Sequence, residues 1–136
     1  ASLVVVKPPF GVSTAWSYRQ LHRFRAGECK RETASARMVE CMNAPGCESR
    51  IAELMENDLE PPAMELHPEI GRIKDELTRS GASGALMCGS GSAVFGLFVS
   101  SEAADAAARR IDASFGVVFR AETVDRVQLR ENEIDD

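Results

Sequence analysis

Apolar residues divide the chain into segments of two periods. Leu3 to Val6 are four consecutive branched apolar residues ended by Lys7-Pro8-Pro9, the pattern of a buried strand stopped by residues that cannot donate to a ladder. After Gly11, Ser13 or Thr14 can cap a helix whose positions Ala15, Tyr18, Leu21 and His22 follow helical spacing, with Trp16 at one edge. Residues 25–30 carry charge and a glycine without periodicity and read as a loop. Thr33 to Met42 read as a second helix with Ala36, Val39 and Met42 on one side, stopped by Asn43 and the Pro45-Gly46 turn. A short third helix comes next, with Ile51, Leu54 and Met55 as its buried side. Asn57-Asp58 then breaks the pattern and offers side-chain oxygens to cap the next helix. Pro61-Pro62 permits a helical start and no more.

The second half is more regular. From Pro68, Ile70, Ile73 and Leu77 recur at three and four residues until Gly81 supplies a stop. Gly84 to Cys88 and Ala93 to Val99 are short apolar runs around Gly89-Ser90-Gly91-Ser92, which reads as an antiparallel pair with a glycine-rich turn. A helix begins at Ser100 or Ser101, with Glu102 and Asp105 early, Arg109 and Arg110 late, and a small-residue face of Ala104, Ala107, Ala108 and Ile111. Val117 to Phe119 form a last strand, and residues 131–136 read as a disordered acidic tail. The order matches an α+β, ferredoxin-like βαββαβ sandwich with extra helices in the first crossover and one sheet face covered.

At 136 residues, 44% of them hydrophobic, the chain can bury one core, but it is short for an enzyme that must enclose two substrates. It opens directly on a strand-like run without a methionine, which suggests a piece of something longer. There is no run of about 20 apolar residues to cross a membrane, so a cytoplasmic protein is expected. The net charge of −5 is uneven: residues 1–56 hold eight Lys/Arg against six Asp/Glu, and residues 57–136 eight against fifteen. The basic group Arg19, Arg23, Arg25, Lys30 and Arg31 lacks interleaved aromatics, so a solvated surface is expected rather than a nucleic-acid site. Cys29, Cys41, Cys47 and Cys88 lack metal-ligand spacing with each other or with His22 and His67; free thiols and no metal are expected.

The segment Met87 to Gly96 is the richest in chemistry. Two glycines in three residues let backbone N–H groups approach a ligand, and concave runs of amides bind anions. It is not a P-loop, because Ser90 stands where the lysine is needed. It is not a dinucleotide fingerprint either, because Val94 replaces the third glycine and a strand comes after it. A plain hairpin turn and an anion-binding loop both remain open.

The string Met87 to Phe98, MCGSGSAVFGLF, resembles the third motif of the GHMP kinases. Three further pieces are similar to the 4-diphosphocytidyl-2-C-methylerythritol kinase branch: Lys7 to Ala15 (KPPFGVSTA), Asn57 to Glu60 (NDLE), and Pro68-Glu69-Ile70 leading to Gly81-Ala82. All four occur in that branch's order. The resemblance implies that residues 1–136 are the C-terminal domain of an ATP- and Mg²⁺-dependent small-molecule kinase of non-mevalonate isoprenoid synthesis. The N-terminal domain that carries the phosphate loop and the catalytic residues would be absent, so no catalytic residue is expected here and the isolated chain should be inactive.

By the same resemblance, Gly89, Ser90, Gly91 and Ser92 would line the cofactor side of the interdomain cleft, and Ser13 and Thr14 would approach the substrate. For the two hydroxyl residues a simple helix cap is equally open. Asn57 and Asp58 are expected to cap the next helix. Cys88 stands where serine is usual and is not expected to act as a nucleophile. The implied partners are the N-terminal kinase domain, a small-molecule substrate and a second copy meeting the exposed cleft face. Homoserine- or mevalonate-type kinases, and a free-standing ferredoxin-like ligand-binding or dimerisation module, are the competing readings. As a fragment, the chain should expose its first strand and cleft face as an apolar patch.

Overall fold

In the structure, a computed structural model that describes residues 1–25, 34–44 and 48–124, the first apolar run forms strand β1 (Ser2–Lys7). Val4 and Val6 are fully buried, while Leu3 and Val5 between them stay partly open, the alternation of a sheet with one covered face. Strands β2 (Gly84–Met87), β3 (Val94–Phe98) and β4 (Val117–Glu122) complete an antiparallel sheet of order β2-β3-β1-β4. β1 pairs on both edges, Val4 opposite Gly96 on one side and Arg120 on the other. The first strand therefore keeps its neighbours, against the expectation that it would be laid bare. Val117 and Phe119, more than half exposed, lie instead on the sheet's outer strand.

The first crossover carries α1 (Thr14–Arg25), α2 (Ala34–Met42), α3 (Glu48–Leu54), α4 (Glu60–Leu66) and α5 (Glu69–Arg79), and the second carries α6 (Ser101–Arg110). This is the ferredoxin-like βαββαβ order with extra helices in the first connection. Ile70, Ile73 and Leu77 of α5 are buried as their spacing required, and with Ala104, Ala107 and Ile111 they pack on Val4, Val6, Val94 and Phe98. Each fully buried aliphatic side chain contributes about 1.5–3 kcal/mol relative to exposure. α6 is capped by Ser100, whose hydroxyl accepts from Ala103 N–H at 3.1 Å. At the entry to β4, Gly116 has φ 137°, and a Cβ there would sit 2.1 Å from the Lys7 carbonyl oxygen. Only glycine admits that contact, which brings the turn against the end of β1.

Several helix faces differ from the periodic reading. α1 buries Ser17 and half-buries Leu21, while Ala15 and Tyr18 face solvent. The helix is turned by its packing on α4 and by Ser17 reaching the glycine loop, contacts that outweigh burial of the Ala15 methyl and the Tyr18 ring. In α2, Val39 and Met42 are exposed, as is Ala36, and Cys41 is the buried position. The packing of α2 on α3 decides this, since a nine-residue helix carries too little periodic signal to fix its own face. Cys41 is disulfide-bonded, not a free thiol, whereas Cys88 is free. Pro61 and Pro62 sit in the first turn of a complete helix, α4, where a missing N–H costs nothing. The N-cap position of α4 is Leu59, which has no side-chain cap of its own, while Asn57 Oδ1 accepts from Leu59 N–H at 3.0 Å at the entry to the helix. Residues 26–33, 45–47 and 125–136, which include Cys29, Cys47, Lys30, Arg31, the Pro45-Gly46 turn and the acidic tail, lie outside the described residues.

Candidate functional site

The connection between β2 and β3 is both a hairpin turn and a meeting point for three other segments. Within it, Cys88 N–H donates to the Ala93 carbonyl at 2.8 Å and Gly91 N–H to the Cys88 carbonyl at 2.9 Å. Gly89 and Gly91 hold φ of 52° and 96°. A Cβ on Gly91 would also meet Met87 Sδ at 2.8 Å, so position 91 requires glycine on both counts.

From the end of β1, Lys7 Nζ donates to the carbonyls of Pro8 (2.9 Å) and Phe10 (2.8 Å) and to the hydroxyl of Ser92 (2.9 Å). Ser92 is buried, and its hydroxyl donates to the Phe10 carbonyl. From α1, Thr14 Oγ1 and Ser90 Oγ share a hydrogen bond of 2.9 Å, and Ser17 Oγ donates to the Ser90 carbonyl at 3.5 Å. From the entry to α4, Asn57 Nδ2 donates to the carbonyls of Met87 (2.9 Å) and Gly89 (2.7 Å). The buried Glu60 carboxylate accepts from Met87 N–H at 2.8 Å through Oε2 and pairs with Lys74 of α5 through Oε1.

These contacts give the loop a polarity. The carbonyls of Met87, Cys88, Gly89 and Ser90 all accept hydrogen bonds from the protein. The N–H groups of Gly89 and Ser90 have no acceptor among the described residues. Such a loop presents donors, which suits an anion. Cys88 fits the same picture as a bystander: although the residue reaches solvent, partial burial pushes its thiol above the usual range, so it stays protonated near neutrality. A cavity of about 370 Å³ opens beside the site, lined by Tyr18, Leu21, Asn57 and Leu59 among others. A second, of about 430 Å³, includes Phe10 stacked on His67 at 4.3 Å between ring centres. Among the described residues no cluster of His, Cys, Asp and Glu could hold a metal ion.

Of the residues singled out in the sequence, Ser90 and Thr14 touch each other, and Ser92 lies on the β1 side of the same loop. Ser13 does not reach the loop; its hydroxyl caps α1, accepting from Trp16 N–H at 3.3 Å. Of the two, Ser13 is the one that caps the helix and Thr14 the one that touches the glycine loop. Lys7, Ser17, Glu60 and the amide of Asn57 were missed. Lys7 did carry a signal, as the only charge between Ser2 and Tyr18. Asn57 and Glu60 stood in the NDLE string, though nothing in it marked a contact with the glycine loop, and Ser17 showed no signal, because a serine in a helix is commonplace.

A model of the family described as "GHMP kinases C terminal" matches residues 38–117, more than half of the chain. The chain belongs to that family. Among curated relatives of this GHMP kinase domain, the 4-diphosphocytidyl-2-C-methyl-D-erythritol kinase of Pelotomaculum thermopropionicum is 44% identical over 79% of the chain and 36% of its own length. The enzyme of the same name from Syntrophotalea carbinolica is 40% identical over 91% of the chain and 40% of its own length. The chain thus spans about two-fifths of these relatives. A crystal structure of 4-(cytidine 5'-diphospho)-2C-methyl-D-erythritol kinase superposes with TM-score 0.65 at 28% identity, covering 88% of the chain and 41% of that protein. A homoserine kinase from Cytophaga hutchinsonii, at 22% identity and TM-score 0.68 over 89% of the chain and 41% of its own, shares the fold.

Proposed function

We propose that this GHMP kinase domain is the substrate-side part of an ATP-dependent kinase that phosphorylates a hydroxyl of 4-diphosphocytidyl-2-C-methyl-D-erythritol, a step of non-mevalonate isoprenoid synthesis. The observation that carries this reading is the polarity of the first part of the glycine loop, where the carbonyls of Met87, Cys88, Gly89 and Ser90 are tied to the protein while the Gly89 and Ser90 N–H groups have no acceptor among the described residues. The identity of the substrate rests on the names of the relatives at 40% identity and above.

In this reading Gly89, Ser90, Gly91 and Ser92 face the cofactor phosphates, and Thr14, with Ser13 beside it, approaches the substrate. The Thr14–Ser90 hydrogen bond would couple the two sides. ATP, Mg²⁺ and the groups acting on the hydroxyl are held chiefly by an N-terminal domain of the full-length protein, and the reaction takes place in the cytoplasm. Without that domain, the cleft face is where two copies would meet, and residues 1–136 alone transfer no phosphate. Phosphoryl transfer depends on positioning and charge stabilisation, and half a cleft supplies neither in full.

A phosphotransfer assay with Mg·ATP and 4-diphosphocytidyl-2-C-methyl-D-erythritol, run on the full-length protein and on residues 1–136, tests this. Activity confined to the full-length protein is expected. If the full-length protein phosphorylates homoserine or mevalonate in place of this substrate, the assignment is overturned.

A further inference from the structure

We infer that Asn57 is a positioning residue whose side-chain amide sets the conformation of the glycine loop; the catalytic consequence of that role rests on the kinase reading above. A carboxamide has two N–H donors and one acceptor oxygen, and at Asn57 both kinds of group are engaged. The amino group donates to the carbonyls of Met87 and Gly89, at 2.9 and 2.7 Å, and the oxygen accepts from Leu59 N–H at 3.0 Å. The partners themselves fix which end is nitrogen, because carbonyls only accept and a backbone N–H only donates.

The consequence lies in which atoms the amide claims. Met87 closes β2 and Gly89 stands two residues on, so one NH₂ group bridges the first turn of the loop and holds both carbonyls toward α4. With the Cys88 carbonyl taken by Gly91 N–H and the Ser90 carbonyl by Ser17, the carbonyls of residues 87 to 90 are all occupied, while the N–H groups of Gly89 and Ser90 have no acceptor among the described residues and are left for a ligand. The clamp has a support of its own. Glu60 N–H donates to the backbone carbonyl of Asn57 at 3.0 Å, and the Glu60 carboxylate ties Met87 N–H to Lys74 on α5. Position 57 is thus joined through Glu60 and Lys74 to helix α5, whose other face is buried on the sheet.

An Asx turn at the entry to α4 would by itself require only the side-chain oxygen, so the two roles can be separated. Asn57→Asp keeps an oxygen for Leu59 N–H but turns the donor pair into an acceptor facing two carbonyls. Asn57→Ala removes both functions. The test uses the full-length protein. Amide exchange should show Gly91 N–H at least tenfold less protected in Asn57→Asp, while Leu59 N–H keeps its protection; Asn57→Ala should lose both. In the phosphotransfer assay with Mg·ATP and 4-diphosphocytidyl-2-C-methyl-D-erythritol, Asn57→Asp should lower kcat by about 100-fold, the scale of a small misplacement of reacting groups, with the KM for the alcohol within about threefold, as expected when an interaction that matters chiefly in the transition state is lost.

Wild-type Gly91 exchange and wild-type kcat in Asn57→Asp would overturn the proposal, as would equal loss of Leu59 protection in both variants. A wild-type protein inactive on this substrate defeats the kinase assignment instead. The exchange measurements still decide the clamp in that case.

Discussion

The sheet-and-helix core and the glycine-loop end are stabilised by different physics, and they answer differently to substitution. In the core, Ile70, Ile73, Leu77, Val4 and Val6 are held by burial, which is non-directional and tolerates any apolar side chain of similar volume. At the loop end, Lys7, Thr14, Ser17, Asn57 and Glu60 make hydrogen bonds with defined donors and acceptors. There a replacement of nearly equal shape can reverse the sign of an interaction. The core sets whether the domain folds, and the loop end sets what one short turn presents to a ligand.

Leu77→Ala should break the core side most severely. The side chain is fully buried on the sheet, and a loss of about 2–5 kcal/mol is expected, read as a lower urea midpoint at unchanged slope. Leu77→Met should cost less than about 1.5 kcal/mol, which separates volume from identity. Ser92→Ala should be the largest stability effect at the loop end. It removes a buried hydroxyl that links Lys7 to the Phe10 carbonyl, and about 1–3 kcal/mol is expected. If Ser92→Ala proved as harmless as Leu77→Met, the contrast between the two regions would fail.

Thr14→Val sharpens the contrast from the other side. The Thr14–Ser90 hydrogen bond is exposed, so stability should change by less than about 0.5 kcal/mol, while phosphotransfer by the full-length protein should fall. Equal activity would remove Thr14 from the site. The smallest effect is expected at Asp112, on the turn before β4, whose carboxylate accepts from Ser114 N–H at 2.8 Å and is held below its ordinary value of 3.8. A folded-state value that is depressed means the native protein binds fewer protons there than the unfolded chain. This contribution is present above the ordinary carboxylate value and lost as pH falls through the folded one. The stability difference between wild type and Asp112→Asn should therefore shrink as pH is lowered below 3.8, measured by thermal unfolding across that range.

What the sequence determined by itself were the features in which a local pattern and the fold agree. The run Leu3–Val6, the Ile70-Ile73-Leu77 spacing, the Ser100 cap and the glycine-rich turn each specify an element through short-range sterics and burial, and together they order the ferredoxin-like sheet. They also located the loop, because glycines in that pattern are needed only where the chain turns tightly. The tertiary structure decided which way the weaker helices face. α1 is mostly polar and α2 is too short for its period to set an orientation, so contacts with the glycine loop, α4 and α3 did so. It also decided that Lys7, Asn57 and Glu60 converge on residues 87 to 92 from tens of positions away. Hydrogen bonds between a side chain and a distant backbone leave no period in the sequence, because one donor at one place suffices.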